Sequence, residues 1–299
     1  MDAYSAALST LVREAHALEY LQVALYTFFI FDYLELLFRE IESIWKRKWA
    51  KVNILYLLCR YTCFVNLVIW ASSLADAGVK LKPCLNTVYA HGWVAFIGMT
   101  SAQLTFFLRT YALWGASRAV AVFLSTLSVA MIGSGIIISS LTMRSKQLIQ
   151  LPIHDATIVP QCLLNVEGSV KLGMFGILNG RIIDIILVVM VVVAKIRRYR
   201  AIDTSPFINK VFHEATVYFG LNFVISVMST VFFFTLPGVT KMFCTEFMAV
   251  MYRCLACRMI VRLREQGMEI TSTQSAAPVS GLQFQKDEQD QSGLTSSRV

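Results

Sequence analysis

Several ionisable residues lie inside stretches of this 299-residue chain that are otherwise apolar, and they are the side chains best placed to do chemistry. Asp32 and Glu35 stand about one turn apart near the end of the first apolar run, and Arg60 lies about eight residues into the second. Charged groups in hydrocarbon are costly and persist where they pair or line a cavity. If the first two runs are antiparallel helices, Asp32 and Arg60 come to similar depth. An Asp32–Arg60 contact is therefore expected, with Glu35 turned toward Arg39 or the inner surface, and Arg109 near the end of the third run is placed to join them. A second group is expected nearer the midplane. Arg181 and Asp184 are helix neighbours at a spacing of three, and Glu246 and Arg253, seven apart, return to one helix face. These four either line an interior polar site or act as ion pairs that lock helices together, and the second is the simpler reading.

Other chemistries find little support. The four histidines, His16, His91, His154 and His213, are scattered without metal-ligand spacing, and no Ser–His or Cys–His arrangement is set up for nucleophilic catalysis. No catalytic residue, metal or cofactor is assigned, and the chain is read as non-enzymatic. Gly133-Ser134-Gly135 is explained by close helix packing. Cys84 and Cys162 both fall on the expected outer side, which makes a disulfide between them plausible. Cys59, Cys63, Cys254 and Cys257 lie within apolar runs and read as small buried hydrophobes.

The elements that must position these residues are membrane helices. The composition, 56% hydrophobic and 15% charged, lies outside the soluble range. Seven runs reach the roughly 20 apolar residues that a span needs, near 16–38, 52–75, 88–114, 119–143, 172–194, 213–236 and 240–262. The expected fold is an all-α seven-transmembrane bundle over 16–265, after a short extracytoplasmic tail at 1–15 and before a disordered cytosolic tail at 266–299. Basic residues crowd the connections after spans 1, 5 and 7, for example Lys46-Arg47-Lys48, Arg197-Arg198 and Arg262. That asymmetry puts the N-terminus outside and the C-terminus in the cytosol. It also accounts for the net charge of +8 without nucleic acid. Phe38, Ile41, Trp45 and Trp49 recur at helical spacing opposite charged residues, the pattern of an interfacial amphipathic helix; a plain extension of the first span fits equally well.

The N-terminal run YLQVALYTFFIFDYLELLFREIESIWKRKW, followed by LLCRY, carries a family likeness. From about Tyr20 to Tyr61 it resembles an N-terminal domain of unknown function from multi-pass membrane proteins of basidiomycete fungi, and LRTYALW at Leu108–Trp114 is similar to segments of such proteins. The resemblance implies a fungal seven-span protein and brings no activity. At the level of topology the chain also resembles G-protein-coupled receptors, with Arg109 and Tyr111 at the inner end of span 3. Leu108 stands where receptors usually carry an acid, and the Asn-Pro motif of their last span is absent. The expected role is receptor-like or sensor-like, with the lipid bilayer and a cytosolic signalling partner at the basic loops as its partners. A small-solute or proton transporter using the intramembrane charges, and a membrane scaffold, are the alternatives.

Overall fold

The computed structural model describes residues 2–46, 51–75, 81–145, 147–148, 164–165, 167–200, 206–236 and 241–276. Seven long helices account for nearly all of them: α1 (Asp2–Glu40), α2 (Lys51–Ala75), α3 (Leu81–Leu113), α4 (Arg118–Ser145), α5 (Glu167–Arg200), α6 (Pro206–Thr235) and α7 (Lys241–Ala276). A two-residue antiparallel pairing joins Gln147–Leu148 to Leu164–Asn165 between α4 and α5. α1 continues into a π turn at Ile41–Trp45, closed by the Lys46 N–H donating to the Ile41 carbonyl. α7 runs past residue 265, where the sequence suggested that the ordered domain ends. Its 36 residues span about 54 Å, more than the roughly 30 Å of a hydrocarbon core.

Local chemistry sets the helix ends. Pro206 opens α6, where a missing N–H costs nothing. α3 stops at a Schellman turn: the Gly115 N–H donates to the Ala112 carbonyl and the Ala116 N–H to Tyr111. Gly115 holds φ 66° there, a left-handed backbone that favours glycine. Ser117 then caps α4 by accepting from the Val120 N–H. Within the helices, hydroxyls such as Ser101, Thr105, Thr110 and Ser128 donate to the carbonyl four residues back, which satisfies them without water.

Among the described residues five helices hold stretches long and apolar enough to cross a membrane: His16–Trp45, Val52–Ser73, Arg118–Thr142, Met174–Arg197 and Phe212–Thr235. They belong to α1, α2, α4, α5 and α6. The other two are the inner ones. α3 packs against α2, α4, α5, α6 and α7, while α7 packs against α1, α2, α3 and α6. Phe106 of α3 sits edge-on to both Phe219 of α6 and Tyr252 of α7, with ring centroids 5.1 and 5.3 Å away. α4 is the opposite case, strongly apolar and mostly uncovered by protein. Exposure is inverted relative to a water-soluble domain. Val129 is 72% and Phe31 68% exposed, whereas Arg253, Arg60, Asp32 and Asp184 are all under 5%. Such a molecule suits lipid surroundings, in which apolar surface is cheap and charge must turn inward.

Candidate functional site

Polar groups gather where α1, α2 and α7 meet. Asp32 and Glu35, one turn apart on α1, share a single guanidinium: Arg258 of α7 donates from Nε to Asp32 Oδ1 at 2.6 Å and from Nη2 to Glu35 Oε2 at 2.5 Å. Arg60 of α2 pairs instead with Glu40, Nε to Oε2 at 2.7 Å, both almost fully buried. Its Nη2 donates to the Tyr33 carbonyl at 3.0 Å, and the guanidinium stacks 4.3 Å from the Tyr33 ring centroid. The Trp45 indole N–H donates to the other Glu40 oxygen at 3.0 Å.

This pairing differs from the Asp32–Arg60 contact expected from depth alone. Both residues line one cleft, yet each takes another partner. The reason is that α1 runs on to Glu40, past the expected end of the first span, and buries it on the inward side of the bundle although its position suggested a surface loop. Arg258, which seemed only to mark orientation, lies one turn beyond Cys254 on the buried side of α7 and reaches Asp32 first. Glu35 turns to Arg258 rather than Arg39, and Arg39 faces Glu265 at 3.8 Å. Arg109 lies within electrostatic reach of Glu214 on α6.

Further ties run down the C-terminal half of α7. Arg264 bonds the Asn53 side-chain oxygen on α2 and reaches the Ser43 carbonyl in the π turn at 3.5 Å. Gln266 donates to Glu214 of α6 at 2.6 Å. From Arg258 to Gln266, α7 is thus fastened to α1, the π turn, α2 and α6.

The second expected group divides over different sides of α7. Asp184 of α5 accepts from the Ser226 hydroxyl of α6 at 2.6 Å and from the Tyr252 hydroxyl of α7, and lies 3.3 Å from Arg181. Arg181 also rests against the Met248 sulfur at 3.8 Å. Glu246 instead faces His91 of α3 at 3.5 Å. Arg253 donates from Nε to the Ala249 carbonyl at 2.7 Å and lies against Gly98 of α3. Tyr26 of α1 stands within electrostatic reach of both Glu246 and Arg253. Arg181 and Asp184 therefore form a tie among α5, α6 and α7, while Glu246 and Arg253 face α1, α2 and α3.

Arg253 also lines the α1–α2–α7 cleft with Asp32 and Arg60. Phe29 from α1, Cys59 and Cys63 from α2, and Cys254 and Cys257 from α7 complete its lining. The cleft has about 10 Å³ of free space, room for about one water-sized particle. Among the described residues no group of histidine, cysteine and carboxylate side chains is arranged to hold a metal ion.

The remaining expectations concern the surface. Phe38, Ile41 and Trp45 all face outward, but on α1 and its π turn rather than on a separate interfacial helix, and Trp49 lies outside the described residues. The Cys84–Cys162 bridge also falls outside what is described, since the Cys84 side chain and all of Cys162 are not included. The sequence reading missed Glu40, Tyr252, Ser226 and the pairing role of Arg258. For Arg258 a signal existed: it interrupts the apolar run from Cys254 to Val261.

Residues 20–65 match DUF6533, a family of unknown function. The matched segment holds most of the first apolar stretch, the π turn and the first part of α2, and with them Asp32, Glu35, Glu40 and Arg60. No curated protein and no solved structure matches the chain. Fold and similarity together define a multi-pass, helical, membrane-type protein carrying a segment of unknown function.

Proposed function

We propose that this chain is a seven-span, non-enzymatic integral membrane protein with a receptor-like or sensor-like role, its N-terminus outside and its C-terminus cytosolic. α3 and α7 cross the bilayer as shielded inner helices, which lets them carry polar residues that a lipid-facing span would not tolerate. The observation that carries the role is the fastening of α7 from Arg258 to Gln266 onto α1, the π turn, α2 and α6. It acts as a latch that closes the inner end of the bundle. A receptor needs two helix arrangements that a ligand binds unequally, and a chain of ion pairs and hydrogen bonds at one end of an inner helix is an element that can be broken and remade as a unit. The basic connection after α5 lies on the same cytosolic side and supplies the surface for a signalling partner. Transport is less well supported: Asp184 is held by partners on α5, α6 and α7, which suits a structural tie.

The thiols in the cleft report on the latch. In Arg258→Ala the labelling of Cys254 and Cys257 by a membrane-permeant maleimide, in sealed vesicles holding the full chain, should accelerate at least several-fold over the parent. An unchanged rate in a folded variant contradicts a latch that governs the inner end.

A further inference from the structure

We propose that the corner where α4 begins and α5 ends is a docking site for an anionic phospholipid, its headgroup held by Arg118, Lys195 and Arg197 and its acyl chains laid along the uncovered helix faces beside them. The two arginines mark one depth. The stretch of α4 able to cross a membrane begins at Arg118, and that of α5 ends at Arg197. Both guanidinium groups therefore stand where apolar tails give way to headgroups, a level that tryptophan also favours. Trp114, in the turn between α3 and α4, ties the corner together. Its indole N–H donates to the Met190 carbonyl of α5 at 3.2 Å, and the Arg197 guanidinium lies 4.9 Å from its ring centroid. The stacking holds Arg197 against the turn that leads into Arg118, and both arginines stay exposed.

Charge around the helix ends is unevenly matched. On the α1–α2–α7 side carboxylates meet the arginines: Asp32 and Glu35 for Arg258, Glu40 for Arg60 and Glu265 for Arg39. At the α4–α5 corner the sequence holds no carboxylate from Leu108 to Ala121 or from Ile185 to Ile202, and Asp203 is the one acid before α6. Three cations that only donate call for a ligand with several acceptor oxygens and a net negative charge. A zwitterionic headgroup would bring its ammonium to a corner with no acid to receive it. Apolar surface continues directly from the cations: Val122 and Phe123 on α4 and Val192 and Ile196 on α5 are exposed, and Val122 is one turn from Arg118 on the same face. A soluble phosphorylated partner would meet the arginines and leave that surface bare, whereas a lipid covers both. The site rests on α4 and α5 as membrane spans and stands whether or not the chain acts as a receptor.

The test is titration of the purified full-length protein in mild detergent with pyrene-labelled phosphatidylserine or phosphatidylcholine, read as energy transfer from tryptophan. The expected result is saturable binding, at least several-fold tighter for phosphatidylserine, with the difference lost at high salt. Arg118→Gln and Arg197→Gln should each weaken phosphatidylserine about fivefold, and together they should bring it to the level of phosphatidylcholine. Arg144→Gln, at the opposite end of α4, removes the same charge and should leave the preference in place. Equal affinity of the parent for the two lipids overturns the proposal, and so does a preference that survives the double variant. Should the double variant fail to fold, unchanged affinity in both single variants overturns it equally. Displacement of labelled phosphatidylserine by millimolar inorganic phosphate at constant ionic strength would assign the arginines to a soluble phosphate and overturn it as well.

Discussion

Arg60 and Glu40 are both almost fully buried, and the Trp45 indole N–H holds the second Glu40 oxygen in place. Removing one member leaves an uncompensated charge, so Glu40→Met and Arg60→Met should each lower stability by about 3–5 kcal/mol, whereas the double variant should recover much of that loss. A double-mutant cycle by SDS unfolding in mild detergent checks this. The coupling of Arg60 to Glu40 should exceed its coupling to Asp32, and the reverse order would restore the Asp32–Arg60 pair that depth alone suggests. Sequence could show that Arg60 needs a carboxylate, and depth pointed to Asp32 near the end of the first span. It gave no sign of Glu40, which falls beyond the expected span 16–38, because helix α1 extends past the apolar run. A second arginine, Arg258, arrives from a segment some 200 residues later, and no local pattern records that meeting.

At the scale of elements, the apolar runs mapped onto the helices with little error. The expected span 52–75 lies within a residue of α2 at each end, and 213–236 ends within a residue of α6, which starts seven residues earlier at Pro206. The π turn was not legible, since one extra residue in a turn leaves hydrophobic spacing nearly unchanged while rotating everything beyond it. It bears on the site nonetheless: within the turn Ser43 and Ile44 lie inside and Ile41 and Trp45 outside, and Trp45 donates to Glu40 just before it. The short connection from α3 to α4 gives a sharper test of local chemistry. Gly115 has open space around its missing side chain, so Gly115→Ala carries a backbone penalty without a clash. It should cost about 1 kcal/mol. Ala116 also has a left-handed φ, 56°, and Ala116→Gly should be neutral or stabilising. Equal effects of the two substitutions on unfolding would show that the turn does not constrain the protein.

The whole molecule combines two polar centres with an apolar exterior. One ties α5, α6 and α7 through Asp184; the other joins α1, α2 and α7 through Asp32, Arg60 and Arg258, and α7 belongs to both. Among the seven described helices apolarity alone marks five, and the two it leaves out, α3 and α7, are the ones packed against the most neighbouring helices. The membrane character was legible because it resides in composition and run length. The division of Arg181, Asp184, Glu246 and Arg253 between two centres was not, because it depends on which neighbours surround α7. The central claim is that α3 and α7 cross the bilayer with the other five. It is tested most directly by protease protection of tags at the two termini in sealed, cell-derived vesicles. The account predicts termini on opposite sides, the N-terminal tag outside and the C-terminal tag cytosolic. Two tags on the same side would mean an even number of crossings and would contradict the placement of the latch and the receptor-like reading together.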